Sequence, residues 1–472
     1  MKKIILSFFL FFLILQGMLL SPGCANIIPP TGGDRDSLPP VLIQANPPNG
    51  TKEFKAKSVT FTFDEYVELQ GLQENLIVSP TLESFPVVNS KLKTVTLKMP
   101  DVLEPNTTYA YNFGKSIRDI NEGNVLKNFT YIFSTGSIID TLEFSGKVLL
   151  AETGGTDSTL IVMLHHNGED SAVIKENPRY VTTLDSSGNF RFQHLAAGTY
   201  YAYALKDDTR SRRYLSEGQL FGFSDEPVYV SPDPIPLTLY AYIEKKDAGT
   251  SSSLSLNRGA VSRQDAGKLK YTTNMGIGLL DITKDLIISF EQPLRNFDSS
   301  LLLFSTDSTF IPNKNFTLEL DSLHKKITLK TSWLPGTLYN LVINQDFAED
   351  TLGNKLSKTD TLKINTRKLS DYGSLRINFS NTDLSKSPVL FFYLGSLQMG
   401  SFPLTSSVFY QPLFLPGDYD LRILFDDNKN GKWDPGEFFE KRKQPEIVRP
   451  IKTKLNIRVN MDNEFDLAMP DK

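Results

Sequence analysis

The chain has 472 residues, too many for a single hydrophobic core, which predicts about three domains or more. A hydrophobic fraction of 40% with 22% charged residues is ordinary for globular protein and argues against disorder over most of the length. The formal net charge of −4, with basic and acidic residues mixed, leaves no polybasic face and argues against nucleic acid as a partner.

The N-terminus has the pattern of a signal peptide, which we predict over residues 1–23. Two lysines precede an apolar run from residue 4 to 15, and this run is shorter than the ~20 residues that a membrane-spanning helix needs. The only cysteine of the chain, Cys24, follows directly after Gly23. The segment 20–24 resembles the lipobox of bacterial lipoproteins, and this implies lipidation of Cys24 and a membrane anchor. The alternative is an unmodified cysteine beside a conventional signal peptide.

The next segments read as a tether followed by strands. Residues 24–40 are rich in proline and glycine, which predicts an extended tether. From residue 41 to 138, short alternating stretches separated by turn residues predict an antiparallel β-sandwich, called segment A. In the strand candidate 58–63, Val59, Phe61 and Phe63 share one face.

An internal repeat sets the organisation of the rest of the chain. The phrases at 61–65, 103–109 and 119–124 recur in the same order at 288–291, 334–339 and 350–354. Residues 194–208 likewise align with residues 413–427. These matches predict an A-B-A′-B′ duplication: segment B at 139–244, a polar linker at 245–267, segment A′ at 268–368 and segment B′ at 369–472.

The repeated phrases carry two resemblances. The A segments, with Phe61-Thr62-Phe63-Asp64-Glu65, an Asp-x-x-x-Gly-Asn turn and the closing Phe133-Ser134-Thr135-Gly136, resemble bacterial Ig-like domains of cell-surface and S-layer proteins. The B segments, with Gly188-Asn189-Phe190 and a Leu-x-x-Gly-x-Tyr pattern, resemble transthyretin-like or carboxypeptidase-regulatory-like sandwiches, which commonly serve as spacers. The whole chain is similar to Ig-like-domain lipoproteins of Bacteroidetes outer membranes. The resemblance implies an all-β fold of tandem Ig-like and transthyretin-like sandwiches.

The sharpest chemical motif lies in segment B′. Residues 426–437 fit the calcium-loop pattern D-x-N-x-N-G, with acidic residues at loop positions 9 and 12. The predicted ligands are Asp426, Asn428, Asn430, the carbonyl of Lys432, Asp434 through water, and Glu437 as a bidentate carboxylate. Because a strand precedes the loop, we expect a structural calcium ion and not a helix-loop-helix sensor. The alternative is an ordinary turn, since the same residue types favour turns. The equivalent loop of segment B, at 207–213, lacks the final acids and is predicted not to bind metal.

Other candidate sites are weaker. Asp64, Glu65 and Glu68 could supply paired carboxylates for glycoside hydrolysis, but the A′ copy keeps only Glu291. The spacing of the histidines gives no zinc site and no base beside a nucleophile, and we expect exposed or hydrogen-bonded surface histidines at 165, 166, 194 and 324. The motifs of serine hydrolases, phosphate loops and dinucleotide sites are absent from the sequence, so we predict that the protein is not an enzyme.

Two further patterns concern sugars. The aromatic residues that could stack on a sugar ring are Trp333, Trp433, Tyr200, Tyr201 and Tyr203. Alternation places Tyr201 and Tyr203 on one face, which is most simply the sandwich core. Asp-Ser or Asp-Thr followed by a small or aliphatic residue resembles the O-glycosylation acceptor of exported Bacteroidetes proteins, with candidates at Ser37, Thr141, Ser171, Ser322, Thr351 and Thr361.

The sequence thus predicts a non-catalytic, lipid-anchored protein of the outer membrane, on either its surface or its periplasmic face. We expect it to act as a binding or assembly subunit that docks on a β-barrel or an envelope protein complex. The alternative is a carbohydrate-binding or adhesion accessory, which an exposed aromatic cluster at one end of a sandwich would favour. A hydrolase would require two carboxyl groups that converge in a cleft.

Overall fold

The computed structural model describes residues 35–100, 102–244, 268–276, 278–306 and 310–471. The predicted signal peptide, Cys24 and the 245–267 linker lie outside these residues. The described part is built almost entirely of β-strands, with two one-turn helices, α1 (Leu72–Asn75) and α2 (Ala172–Lys175). The prediction of an all-β fold is therefore confirmed. Within the same residues, no helix is long and apolar enough to cross a membrane.

The chain divides into two compact units. The first ends at Ile139, and the second runs from Asp140 onward and also includes Ser79–Thr81. The strands of the first unit lie in segment A: β1 (Leu42–Asn46), β2 (Ser58–Phe63), β3 (Val67–Leu69), β4 (Ile77–Ser79), β5 (Val87–Lys91), β6 (Thr94–Lys98), β7 (Thr108–Asn112), β8 (Ile117–Asp119), β9 (Val125–Leu126) and β10 (Thr130–Ser134). They form sheets in the orders β1-β2-β6-β5, β10-β7-β4 and β3-β8-β9.

Segment A buries an aromatic core between its sheets. Val59, Phe61 and Phe63 alternate along β2 and are all fully buried, as the period of two predicts. Phe61 makes an edge contact with Tyr131 of β10, with ring centroids 5.1 Å apart. Edge-to-face packing of this kind adds about 0.5–1.5 kcal/mol to the burial of the rings.

Segment B opens the second unit with eight strands: β11 (Leu142–Leu150), β12 (Leu160–His165), β13 (Tyr180–Thr183), β14 (Asn189–Leu195), β15 (Gly198–Lys206), β16 (Phe221–Phe223), β17 (Val228–Val230) and β18 (Leu237–Ala241). One sheet has the order β14-β11-β18, with β18 parallel to β11. The other has the order β13-β12-β15-β16, and β17 also pairs with β15. Phe144, Val162 and Ala202 lie in the core between these sheets.

Segment A′ contains ten strands: β19 (Tyr271–Thr273), β20 (Leu279–Leu280), β21 (Leu286–Phe290), β22 (Leu294–Phe297), β23 (Leu302–Ser305), β24 (Thr317–Leu320), β25 (Lys326–Lys330), β26 (Leu338–Ile343), β27 (Ala348–Asp350) and β28 (Asp360–Thr366). Its sheets have the orders β19-β21-β25-β24, β20-β28-β26-β23 and β22-β27. Ile288, Ile327 and Leu341 fill the core between the two larger sheets.

Segment B′ contains seven strands: β29 (Gly373–Ser380), β30 (Pro388–Leu394), β31 (Leu397–Pro403), β32 (Val408–Phe414), β33 (Gly417–Phe425), β34 (Ile447–Ile457) and β35 (Asp462–Ala468). Its sheets have the orders β32-β29-β35 and β31-β30-β33-β34, and β35 runs parallel to β29. The parallel pair repeats the pairing of β18 with β11 in segment B. Each described sheet of the chain lies within one of the four segments that the repeat defines.

Segments A and A′ share a specific hydrogen bond. In segment A the hydroxyl of Tyr109 accepts the backbone N–H of Glu104 at 2.9 Å. In segment A′ the hydroxyl of Tyr339 accepts the backbone N–H of Leu334 at 2.9 Å. The same tyrosine therefore closes the same turn in both copies, which agrees with a duplication.

The B and B′ segments share a different tyrosine contact. Tyr200 of β15 donates its hydroxyl to the carbonyl of Ala196 at 3.0 Å. Tyr419 of β33 donates to the carbonyl of Leu415 at 3.1 Å. In each case the bond fastens the start of the strand to the turn that precedes it, four residues upstream.

Candidate functional site between segments B and B′

The β12-β15 sheet of segment B is buried on both faces. Along β15, Ala202 points into the sandwich core while Tyr203 points to the opposite face, yet both are fully buried. Met163 of β12 lies in the same second cluster as Tyr203. Tyr201 and Tyr203 share one face as predicted, but that face is the outer one, so their assignment to the sandwich core was wrong. An outer face this apolar requires a cover.

The cover is an aromatic side chain from segment B′. Phe438 is 0% exposed and belongs to the outer cluster of segment B. Its ring centroid lies 5.0 Å from those of Phe221 and Phe223 and 5.9 Å from that of Tyr203. The neighbouring Phe439 stacks on Tyr214 at 5.7 Å. Burial of one such ring stabilises the contact by about 1.5–3 kcal/mol.

We call residues 426–446, which join β33 to β34 and carry Phe438, the docking loop. Polar contacts fix its position on segment B. The guanidinium of Arg442 donates to Asp170 at 2.8 Å, and Glu244 accepts the backbone N–H of Phe438 at 3.1 Å. Gln444 donates to the carboxylate of Asp225 at 2.8 Å. Together these bonds orient the loop as well as attach it.

The backbones of the two segments also approach closely. Val448 donates its N–H to the carbonyl of Ala151 at 2.9 Å. Gly154 has a φ of +67°, and a Cβ there would lie 2.4 Å from Cδ of Pro450. A Cβ on Gly436 would lie 2.6 Å from the ring of Tyr242. Glycine is therefore required at both positions for the segments to meet.

The first half of the docking loop contains the predicted calcium motif. The carboxylate of Asp426 is buried and accepts the backbone N–H groups of Asn430 at 3.2 Å and Gly431 at 2.6 Å. Gly431 has a φ of +76°, which allows the sharp turn. The side chains of Asn428 and Asn430 both donate to Asp434. The side chains of the motif are therefore hydrogen-bonded to one another and to the backbone of the same loop.

The predicted ligand Glu437 is turned to a different contact. Its carboxylate pairs with the ammonium of Lys441 at 2.8 Å. A second acid, Glu446, was not recognised from the sequence, yet it accepts the backbone N–H groups of Asp427 and Asp434, each at 3.0 Å. Glu446 is 4% exposed. Glu446 falls outside the motif because the motif has helix-loop-helix spacing, whereas this loop ends in the β-strand β34.

The electrostatics of Glu446 reflect its surroundings. Burial raises its pKa, the backbone N–H donors oppose this rise, and the nearby charge of Asp426 adds to it, so that the pKa stays raised overall. Among the residues that the structure describes, no group of three or more His, Cys, Asp or Glu side chains is arranged to hold a metal ion. Calcium binding therefore stays a prediction.

The other aromatic candidates occupy cores. Trp333 packs edge-on against Tyr339 at 5.0 Å within the core of segment A′. Tyr200 lies in the core of segment B. Trp433 differs, because it is only partly buried and packs against both the outer cluster of segment B and a cluster on segment B′. Its indole N–H donates to the carbonyl of Glu446 at 2.7 Å.

One histidine is not where it was expected. His165 is buried, and within the described residues its Nε2 has no hydrogen-bond partner. Burial lowers its pKa to about 4, although the charge of Glu176 acts in the opposite direction. The prediction of a surface histidine was wrong here because β12 is covered on both faces. His194 and His324 are hydrogen-bonded as predicted, because each donates from Nδ1 to a backbone carbonyl, of Asp140 at 3.0 Å and of Leu294 at 3.3 Å.

The acids considered for hydrolysis are engaged in local contacts. Asp64 accepts the backbone N–H of Val41 at 2.8 Å. Glu68 accepts from the guanidinium of Arg118 at 2.6 Å. The A′ counterpart, Glu291, is exposed. These contacts fit carboxylates that hold strand ends rather than a pair facing each other across a substrate.

Comparison with known proteins gives one family match. Residues 36–135 match the family model of a bacterial Ig-like domain, and this range covers most of segment A. No match is found among the curated proteins.

Among solved structures, the chain is similar to the N-terminal part of the bacterial S-layer protein SbsC, with 15% identity, 44% of each chain covered and a TM-score of 0.16. It thus spans less than half of that fragment. It is also similar to the Bacillus anthracis TIE protein, with 9% identity, 93% of this chain and 76% of the other covered, and a TM-score of 0.17. The major pilin subunit BcpA of Bacillus cereus gives 8% identity, 70% and 99% coverage, and a TM-score of 0.18.

Proposed function

We propose that the protein is a non-catalytic, lipid-anchored subunit of the outer membrane that serves binding or assembly within an envelope complex. The observation that carries this proposal is the docking of segment B′ on segment B through Phe438 and Arg442. This contact makes one body out of two sandwiches that a whole Ig-like segment separates in sequence. A preorganised body of this kind presents its surfaces to a partner with little loss of conformational entropy.

The proposal also includes a lipid anchor and a protein partner in the envelope. Cys24 would carry the lipid, and residues 25–40 would connect it to segment A. The Ig-like match at 36–135 supports an extracytoplasmic location, because such a domain is typical of cell-surface proteins. We propose a β-barrel or another envelope protein complex as the partner, and the mixed surface charge argues against nucleic acid.

A structural calcium ion in the docking loop completes the proposal. The oxygens that would hold it come from Asp426, Asn428, Asn430, the Lys432 carbonyl and Asp434, with a final carboxylate from Glu446 in preference to Glu437. Asn428 and Asn430 donate their amide N–H groups to Asp434 in the structure, so each amide would turn its oxygen inward on binding. The ion would stiffen the loop that carries Phe438.

The test compares the wild-type chain with Cys24→Ala in the native membrane. We expect the wild type to incorporate labelled palmitate, to fractionate with the outer membrane and to co-purify in gentle detergent with a membrane protein at fixed ratio. Cys24→Ala should lose the label and leave the membrane fraction. The proposal fails if the wild type carries no lipid, or if it purifies alone under conditions that keep known envelope complexes intact.

A further inference from the structure

A cleft opens where the docking loop passes between segments B and B′. Its volume is about 570 Å³, which lies within the range of small-molecule sites. Segment B contributes Glu152 and Glu244 to its lining, and segment B′ contributes Tyr393, Gln398 and Trp433. Because both segments form its walls, the cleft exists only while they are docked.

The aromatic walls of the cleft are held in fixed orientations. The indole of Trp433 is fastened by its hydrogen bond to the carbonyl of Glu446 at 2.7 Å. The guanidinium of Arg422 lies over the ring of Tyr393, 4.0 Å from its centroid. Rings that are already ordered bind a flat ligand with a small further loss of entropy. Such rings offer an apolar surface with a polar edge.

Polar groups lie beside these rings. The hydroxyl of Tyr393 donates to the amide oxygen of Gln398 at 3.3 Å, and the amide of Gln398 has two N–H donors of its own. Ser401 also lines the cleft and donates to the carbonyl of Gly431 at 3.1 Å. Hydrogen-bonding groups around an apolar wall suit a ligand that has both an apolar face and a polar rim.

The charges of the cleft narrow the ligand class further. The carboxylates of Glu152 and Glu244 line it together with a single ammonium group, that of Lys432. The guanidinium of Arg422, which lies over the ring of Tyr393, adds a second cation, so the two carboxylates are balanced and the lining favours a neutral ligand over an ionic one. A purely aliphatic ligand would leave the polar groups of the rim desolvated without partners. A pyranose ring meets both conditions, because its C–H face is apolar and its hydroxyls can donate and accept.

We propose that this cleft binds a short neutral oligosaccharide, stacked on Trp433 and Tyr393 and hydrogen-bonded by Gln398. Because the ligand binds only the docked arrangement, it also stabilises the contact between segments B and B′. The proposal is independent of the lipid anchor and of the envelope partner, so either can fail without the other.

The two tryptophans of the chain allow a direct assay. Trp333→Phe leaves Trp433 as the single tryptophan, and its fluorescence then reports on the cleft alone. The full chain carrying Trp333→Phe is titrated with cello-, malto-, xylo-, manno- and chito-oligosaccharides, and with oligogalacturonate as an anionic probe. We expect a saturable change in fluorescence with at least one neutral series and a weaker response to oligogalacturonate.

Variants then locate the binding. Tyr393→Ala and Gln398→Ala should each weaken the binding of the active oligosaccharide about tenfold, by isothermal titration calorimetry. The matched control is Tyr410→Ala, which removes a tyrosine that is 50% exposed on β32, away from the cleft, and should bind like the wild type. Circular dichroism checks that each variant is folded.

Three outcomes would overturn the proposal. The first is that none of the neutral series changes the Trp433 fluorescence or gives a heat of binding. The second is that folded Tyr393→Ala and Gln398→Ala bind the active oligosaccharide as tightly as Tyr410→Ala does. The third is that oligogalacturonate binds more tightly than every neutral series, which would identify an anion site.

Discussion

Segments B and B′ differ in one loop. In segment B this loop follows the nine-residue strand β15, and in segment B′ it follows the equivalent nine-residue strand β33, but the two loops make different contacts. In segment B, Asp207 accepts the backbone N–H of Arg212 at 2.9 Å, and the loop turns back to β16. In segment B′, Asp426 accepts the N–H of Gly431 at 2.6 Å, and the loop continues until Phe438 reaches segment B.

The difference shows how two segments with similar strand pairing can form an asymmetric contact. Segment B supplies a socket formed by Tyr203, Tyr214, Phe221 and Phe223, and segment B′ supplies the residue that fills it. The strands that hold the two loops keep the same parallel pair and the same tyrosine contact. The two segments differ in these loops and in the strands that follow them, since the short strands β16 and β17 pair with β15 where the long strand β34 pairs with β33.

The largest effect should come from emptying the socket. Phe438→Ala removes a fully buried ring from among aromatic neighbours and should lower the free energy of unfolding by about 3–5 kcal/mol. Denaturant unfolding measures this, with Phe439→Ala as the matched control, because Phe439 is only partly buried and should lose less. Equal losses in the two variants would contradict the assignment of Phe438 as the principal contact.

Acid should weaken segment B through His165, whose ring meets that of Tyr203 edge-on at 5.6 Å. Burial lowers the pKa of His165 to about 4, against about 6.5 in an unfolded chain. The unfolded state therefore takes up the proton first, and stability is full above pH 6.5 and falls as the pH approaches 4, by about 3 kcal/mol. His165→Gln should flatten this pH dependence of unfolding, and the neighbouring variant His166→Gln, at an exposed position, serves as the control.

Local sequence patterns predicted the strands, but they did not predict which residues cover the outer face of the β12-β15 sheet. The period of two in β2 predicted the burial of Val59, Phe61 and Phe63 correctly, because a one-sided strand shows its buried face in the alternation. In β12 and β15 the apolar residues are nearly continuous, which is the signature of burial on both faces. That signal was available, yet nothing local in it points to Phe438, which lies more than 200 residues away.

The sequence located only some residues of the candidate calcium site, again because the position of the others depends on tertiary structure. Asp426, Asn430 and Gly431 lie where the motif places them, because a turn of this kind depends on neighbouring residues. The last acid depends on where β34 begins, and the structure brings Glu446 to the backbone of Asp427 and Asp434. Residue spacing in the sequence does not reveal this position, because the pairing of β34 with β33 determines it.

Closing the space between the segments should have a smaller effect than emptying the socket. Gly154→Ala places a methyl group 2.4 Å from Cδ of Pro450 at a backbone φ of +67°. We expect a loss of about 1–3 kcal/mol in the free energy of unfolding. The control is Gly123→Ala in segment A, which has a φ of +77° but open space around it and so reports the backbone strain alone. A loss no larger than that of the control would mean that both Pro450 and the backbone carbonyl of Val448, 2.7 Å from the added Cβ, yield to the methyl group.

The smallest effect should come from calcium binding to the docking loop. With an affinity typical of extracellular modules, 1 mM calcium should add about 0.4–1.4 kcal/mol to the free energy of unfolding. Glu446→Gln should abolish this increment, measured as the calcium-dependent shift in thermal unfolding, because its carboxylate lies against Asp427 and Asp434. Glu437→Gln should keep it, since Glu437 pairs with Lys441. The reverse result would return Glu437 to the ligand position that the motif predicts, and would mean that the ion reorganises the loop between Lys441 and β34.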